Sequence, residues 1–212
     1  MSRGTIAALR DLVPLHPLNR WELISLAQLQ AERFLELAGI DGPAVPDRLI
    51  TDLPRVRVER FSPLPVSGAT HWTKREWLVV LNSAEPPMRQ RFSLFHEAKH
   101  IIDHRFADVM YRDFRPDERH ALAEQMCNYF AGCLLVPRPW LEEAWQSGIQ
   151  EIPQLAARFD VSQAAVQVRL RQIGLRRETS RGIPPMRPEW RAAIAAANKP
   201  AGRERRISPP RR

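Results

Sequence analysis

A chain of 212 residues, 44% hydrophobic and 26% charged, has room for one ordinary domain with a genuine core and small appendages. Its net charge of +8 resides in the tail, because residues 176–212 hold 11 Arg or Lys against 3 Glu and the rest balances at 21 against 21, so the body offers no charge-based case for an acidic partner. Arg10 and Asp11 split the single N-terminal apolar stretch, no segment is long enough to span a bilayer, and Cys127 and Cys133 are spaced for neither a disulfide framework nor a zinc ribbon; a cytoplasmic protein with reduced thiols is expected, without a membrane.

Asn19 followed by Glu22 has the form of a capping box, and Trp21, Ile24, Leu29, Phe34, Leu35 and Ala38 supply apolar positions before Gly39, which predicts a helix over 20–38. A short helix is expected after Pro46. Residues 55–61 alternate charged and apolar side chains in the manner of a half-buried strand. Two further strands, 68–72 and 77–81, flank the polar Lys74-Arg75-Glu76 break, and the second, apolar throughout, is expected to be the best buried. Pro86 and Pro87 suit the first turn of a helix reaching about His104. A second long helix is predicted from Asp117 to just before Pro137, a short one over 139–148, and two more over 153–159 and 162–173, the last closed by Gly174. The 19 prolines, about twice the usual share, fit short and sharply ended elements.

This organisation divides the chain into an N-terminal helical segment (1–53), a core (54–148), a small helix-turn-helix-like segment (149–175) and a basic, Pro-rich tail (176–212). The tail is expected to be disordered, apart from an isolated helical pattern around 190–197.

The pattern His96-Glu97-Ala98-Lys99-His100 falls inside a predicted helix. Residues four apart differ by only about 40° around a helix, so both imidazoles can reach one metal ion from adjacent turns. Glu97 lies beside that ion rather than on it, where a carboxylate can take a proton from water and return it to a departing amine. The second long helix offers Glu124, 24 residues after His100, as the third ligand of a His₂Glu zinc set, with Asp103 and Asp117 as alternatives. Asn128 shares the helical face of Glu124 and can accept a hydrogen bond from one imidazole, fixing its tautomer. His104, another turn along and about 6 Å farther, is too distant for the same ion and is read as a supporting or cleft-wall residue. No single residue is identified as the oxyanion stabiliser: Tyr111 and His120 are candidate donors, but the preferred reading of each is an ordinary loop residue. Phe92, Phe95, Ile101 and Ile102 are expected to be core contacts.

The run Arg91-Phe92-Ser93-Leu94-Phe95-His96-Glu97-Ala98-Lys99-His100, followed by Glu124-Gln125-Met126-Cys127-Asn128-Tyr129-Phe130-Ala131-Gly132-Cys133-Leu134-Leu135-Val136-Pro137, resembles the ImmA/IrrE family of metallopeptidases, which is similar to the gluzincins in its ligands. The strand ending in Asn82 and the Leu-Ala-x-x-Phe-x-Val-Ser segment at 155–162 extend the resemblance over about residues 55–175. It implies an α+β zincin-like domain, a small antiparallel sheet packed on the His-Glu-x-x-His helix and a second ligand-bearing helix. It implies one Zn²⁺ per chain on His96, His100 and Glu124, Glu97 as catalytic base, and a helix-turn-helix repressor of mobile elements, phage or stress responses as the protein cut. Two departures stand out. Family members commonly have Leu-Gly where this chain has Ala98-Lys99, so a long cation is expected to alter substrate access or metal affinity, and Cys127 replaces the usual alanine.

A reading from another class is a non-catalytic regulator that binds DNA or a repressor. Residues 154–170 read like a helix-turn-helix that would aim Gln163, Gln167 and Arg169 at bases, and the basic tail would add weak, salt-sensitive nucleic-acid contacts, although the preferred reading of this helical pair is structural, part of the body of the protein and a docking surface for the repressor.

Overall fold

The computed structural model describes residues 4–175; the helical pattern around 190–197 and the basic tail lie outside the described residues. The Asn19 side chain accepts hydrogen bonds from the backbone N–H groups of Trp21 and Glu22 at 2.9 and 3.1 Å, while Glu22 accepts the Asn19 N–H at 2.7 Å. This reciprocal cap starts α2 (Arg20–Ala38), which ends on Gly39 at φ 63°, a left-handed conformation that glycine adopts without a Cβ clash. Ahead of it stands α1 (Thr5–Arg10), too short for periodicity to signal. The short α3 (Arg48–Thr51) then leads into β1 (Val56–Phe61), β2 (Gly68–Trp72) and β3 (Trp77–Asn82).

Next come α4 (Pro87–Asp103), the single-turn α5 (Ala107–Met110), α6 (Pro116–Leu135), α7 (Arg138–Gln146), α8 (Ile152–Phe159) and α9 (Gln163–Ile173). Proline sits in the first turn of α4, α6, α7 and α8, where its missing N–H removes no intrahelical bond.

The α+β class expected from the sequence is observed, but the sheet is mixed rather than antiparallel. Its order is β1-β3-β2: β2 and β3 form an antiparallel hairpin, while β1 runs parallel to β3, pairing Val56 with Trp77 through Phe61 with Asn82. Alternation along 55–61 specifies a strand and its faces, whereas pairing direction depends on the path of the connection through residues 62–67, which carries no periodic signal. The most apolar strand takes the centre, with Val79 and Leu81 fully buried, and β2 is left as an edge.

The layers follow from which helices share faces: α4 packs on β2 and β3, α6 packs on α4, and α2 packs on α6. One hydrophobic cluster runs through them from Leu9 in α1 to Leu170 in α9. Two arginines tie distant segments to α4. Arg10 donates to the carbonyls of Ile101 and Ile102 at 2.6 and 3.0 Å, satisfying groups that the helix end leaves unpaired. Arg91 pairs with Asp47 at 3.2 Å and Asp160 at 3.0 Å and donates to the Val45 carbonyl.

The α8–α9 pair does not present the reading face of the DNA-binding alternative. Arg169 is buried, donating to the Val136 carbonyl at 3.2 Å and to Gln172 at 2.7 Å, with its guanidinium 5.6 Å from the centre of the Tyr129 ring. A residue holding the end of α6 in this way is not free to reach a base edge. Gln163 and Gln167 remain exposed.

Candidate metal centre

Leu94, Phe95, Ala98, Ile101 and Ile102 turn into the core, which leaves His96, Glu97 and His100 on the flank of α4 that faces a cleft of about 640 Å³. β2 forms one wall of the cleft, and α5, Tyr111 and the first half of α6 form the other. Glu124 reaches in from α6, so the helical hairpin inferred from spacing brings its carboxylate to both imidazoles.

The distances are compact. Nε2 of His96 and Nε2 of His100 are 3.2 Å apart; one Glu124 oxygen is 3.3 Å from the first and the other is 3.2 Å from the second. Nδ1 of His96 is 3.0 Å from Oδ1 of Asn128. With Oδ1 accepting, the His96 proton is assigned to Nδ1 and the lone pair to Nε2, directed at the other imidazole and the carboxylate. Burial lowers the pKa of His100; the Glu97, Glu124 and Asp103 carboxylates oppose that shift and His96 reinforces it, so the neutral, ligating form is favoured. Two imidazole nitrogens and the two oxygens of one carboxylate therefore meet at 3.2–3.3 Å, an arrangement that a cation between them would stabilise.

A zinc ion fits this donor set. Tetrahedral bonds of about 2.0–2.1 Å to nitrogen and oxygen separate the donors by about 3.3–3.4 Å, close to the three distances observed. Cys127 adds a second grouping, its sulfur and the two imidazole nitrogens all lying within 4.8 Å of one another. Glu124 contacts both imidazoles at 3.2–3.3 Å, and burial pushes the Cys127 thiol well above its ordinary pKa, favouring the neutral form.

Glu97 is only 5% exposed. Its Oε2 accepts a hydrogen bond of 2.6 Å from the Thr70 hydroxyl, and a Cβ placed on Gly68 would meet its Oε1 at 3.1 Å. Gly68 and Thr70 are two apart on β2 and so project from one face of the strand. Sequence reasoning missed both. The available signal was the period-2 spacing of a glycine and a hydroxyl in the strand just ahead of the metal helix.

The remaining expected residues separate clearly. Lys99 does not enter the cleft: it is 2% exposed, and its ammonium meets both Asp103 oxygens and Oε1 of Gln30 at 2.6 Å each. The expected effect of a cation on substrate access is therefore not seen. That pairing also occupies Asp103 as an alternative ligand, and Asp117 forms an exposed pair with Arg115 at 3.1 Å. His104 caps the end of α4, its ring 4.9 Å from that of Trp77, and lines the cleft with Tyr111 and His120. Phe92 lines the cleft too, whereas Phe95, Ile101 and Ile102 are core as expected.

Known proteins resemble this chain in family and fold. The peptidase family model described as the IrrE N-terminal-like domain matches residues 54–171. The radiation response metalloprotease IrrE of Deinococcus radiodurans is 30% identical over 142 residues, which cover 61% of this chain and 42% of that protein. The chain thus spans less than half the length of this curated relative. A solved structure of a Mycobacterium tuberculosis transcriptional regulator superposes with a TM-score of 0.58 at 23% identity, covering 74% of this chain and 59% of that one, a likeness of fold. With the match spanning the sheet, α4, α6 and most of the closing helical pair, this chain belongs to the ImmA/IrrE family of metallopeptidases.

Proposed function

We propose that this protein is a zinc-dependent endopeptidase in which His96, His100 and Glu124 hold one zinc ion, Asn128 fixes the His96 tautomer and Glu97 is the general base. The observation that carries the reading is the convergence of three side chains, His96, His100 and Glu124, with contacts of 3.2–3.3 Å, beside a buried carboxylate. Bound there, zinc would supply Lewis acidity toward a carbonyl oxygen and toward water. Glu97 takes a proton from the attacking water as its oxygen bonds to the carbonyl carbon, and delivers that proton to the amine nitrogen as the C–N bond breaks. The Thr70 hydroxyl holds the carboxylate in place for both transfers. β2, an edge strand bordering the cleft, offers unpaired backbone groups along which an extended peptide can lie.

The substrate we propose is a helix-turn-helix repressor, on the strength of the family and of a relative named for a radiation response. A cytoplasmic location fits the two free, buried cysteines, and no helix among the described residues is long and apolar enough to cross a membrane. We assign the chemistry to 54–148, with 1–53 and 149–175 bracing it. The DNA-binding alternative loses support because Arg169 is committed to the core.

The test is to incubate the purified chain with the repressor encoded in its own genome neighbourhood, with and without a chelator, after measuring bound metal. About one zinc per chain and cleavage abolished by chelation are expected. Undiminished cutting by a metal-free preparation would refute the proposal.

A further inference from the structure

The two buried tyrosines differ in what their hydroxyls touch. Tyr129 donates to Oε1 of Gln28 at 3.4 Å. Tyr111, just after α5, is 4% exposed, yet its hydroxyl has no hydrogen-bond partner among the described residues. Nor is that oxygen among the polar atoms sealed from solvent without a partner, which are Oε2 of Glu85 and Nε of Arg91. The Tyr111 side chain lines the cleft alongside His100, Glu124 and Cys127. A largely buried phenol in the cleft wall, with no hydrogen-bond partner among the described residues, is matched when a group bound in the cleft accepts its proton.

The neighbouring acceptors are already engaged. Both Asp103 oxygens meet Lys99, and the Glu124 oxygens face the two imidazoles. Burial above all, followed by the charge of Asp103, raises the Tyr111 pKa above the ordinary phenol value, which favours the neutral hydroxyl, a donor. His120, four residues before Glu124 on α6, also lines the cleft, but it is exposed and bulk water satisfies it.

We propose that Tyr111 donates a hydrogen bond to the oxygen of the scissile carbonyl as negative charge develops on it. This rests on the peptidase reading above. When the water oxygen bonds to the carbonyl carbon, the carbonyl π pair moves onto oxygen; the phenol proton stays on Tyr111 and stabilises that charge, while Glu97 carries the transferred proton to nitrogen. A donor waiting in place for a charge that exists only in the transition state lowers the barrier without tightening ground-state binding.

The experiment compares two probes on the zinc-loaded protein: a dipeptide phosphonamidate, whose tetrahedral phosphoryl oxygens stand where the charged oxygen forms, and the amide of identical side chains. Binding is measured by calorimetry for the wild type, Tyr111→Phe and His120→Ala, with zinc content and melting temperature recorded for each. Tyr111→Phe is expected to weaken the phosphonamidate by about 10²-fold, leaving amide affinity, zinc content and melting temperature unchanged. His120→Ala should leave the ratio of the two affinities unaltered. Equal weakening of both probes, loss of zinc or loss of the fold in Tyr111→Phe would assign the hydroxyl a structural role and overturn the proposal, as would a selective loss in His120→Ala instead. A wild type that binds zinc but not the phosphonamidate would sink the peptidase reading and this inference together, whereas tight binding indifferent to Tyr111→Phe would sink this inference alone.

Discussion

Lys99 and Asp103 on one flank of α4, and His96 and His100 on the next, are both polar pairs at i,i+4 spacing, yet they behave differently. The Lys99 ammonium has three donors and meets three oxygens at 2.6 Å, two from Asp103 and one from Gln30, whose amide nitrogen continues to the Leu9 carbonyl at 3.2 Å. That cluster is closed: each charge is answered, and it ties α1 and α2 to α4. The histidine pair is open, because its lone pairs face each other and a carboxylate with no cation supplied by the chain. A self-satisfied buried cluster is scaffold, whereas one with leftover valence is a site, even when sequence spacing makes the two look alike.

The sharpest way to break this contrast is to open the closed cluster. Lys99→Met leaves the Asp103 carboxylate poorly solvated and unpaired, and should cost about 3–5 kcal/mol of stability in urea unfolding. Lys99→Met combined with Asp103→Leu should recover most of the loss, since apolar residues leave no buried charge to answer. A single variant as stable as the wild type would show that the pair is not scaffold. On the open cluster the prediction reverses. Glu97→Gln should lower repressor cleavage by roughly 10²–10⁴-fold while zinc content, read by atomic absorption, and urea stability hold.

How much of this could be read in the sequence depends on the range of the signal. The helices bearing His96, His100 and Glu124 announce themselves through prolines, periodicity and a short motif, and the return of α6 alongside α4 follows from a helical hairpin. Asn128 was legible for the same reason, being one turn from Glu124. Lys99 was misjudged although Asp103, one helical turn on, offered a local partner; Gln30, which completes the buried cluster, lies 69 residues away and left no local trace. Arg169 sides with the structural reading of its helical pair, but its acceptor, the Val136 carbonyl 33 residues distant, had no local signal. The parallel β1–β3 pairing and the contact of Gly68 and Thr70 with Glu97 depend on how the strands and the metal helix assemble, which alternation within one strand does not encode.

Smaller substitutions sharpen the comparison by grading how much each neighbour contributes to the open cluster. Asn128→Ala frees the His96 ring to rotate and exchange tautomers, and should weaken zinc affinity by about 10–100-fold in competition with a chromophoric chelator, with little change in the fold because Asn128 is exposed. An unchanged affinity would mean that the 3.0 Å contact does not orient the ligand.

Gly68→Ala tests the smallest displacement. Its new methyl would lie 3.1 Å from Oε1 and 3.3 Å from Cγ of Glu97, so the carboxylate must yield by a few tenths of an ångström. Since a misplacement of about 1 Å can cost 10²-fold, a loss of no more than about tenfold in kcat is expected. Stability should move the other way, rising by about 0.4–1 kcal/mol, because alanine loses less chain entropy than glycine on entering a strand. Zinc affinity should stay put, since the three atoms nearest the added methyl belong to Glu97 and Leu81 rather than to His96, His100 or Glu124. Opposite signs for rate and stability would separate a group aimed at a reaction from one that only packs; a fall in both would mean that the crowded carboxylate belongs to the scaffold after all.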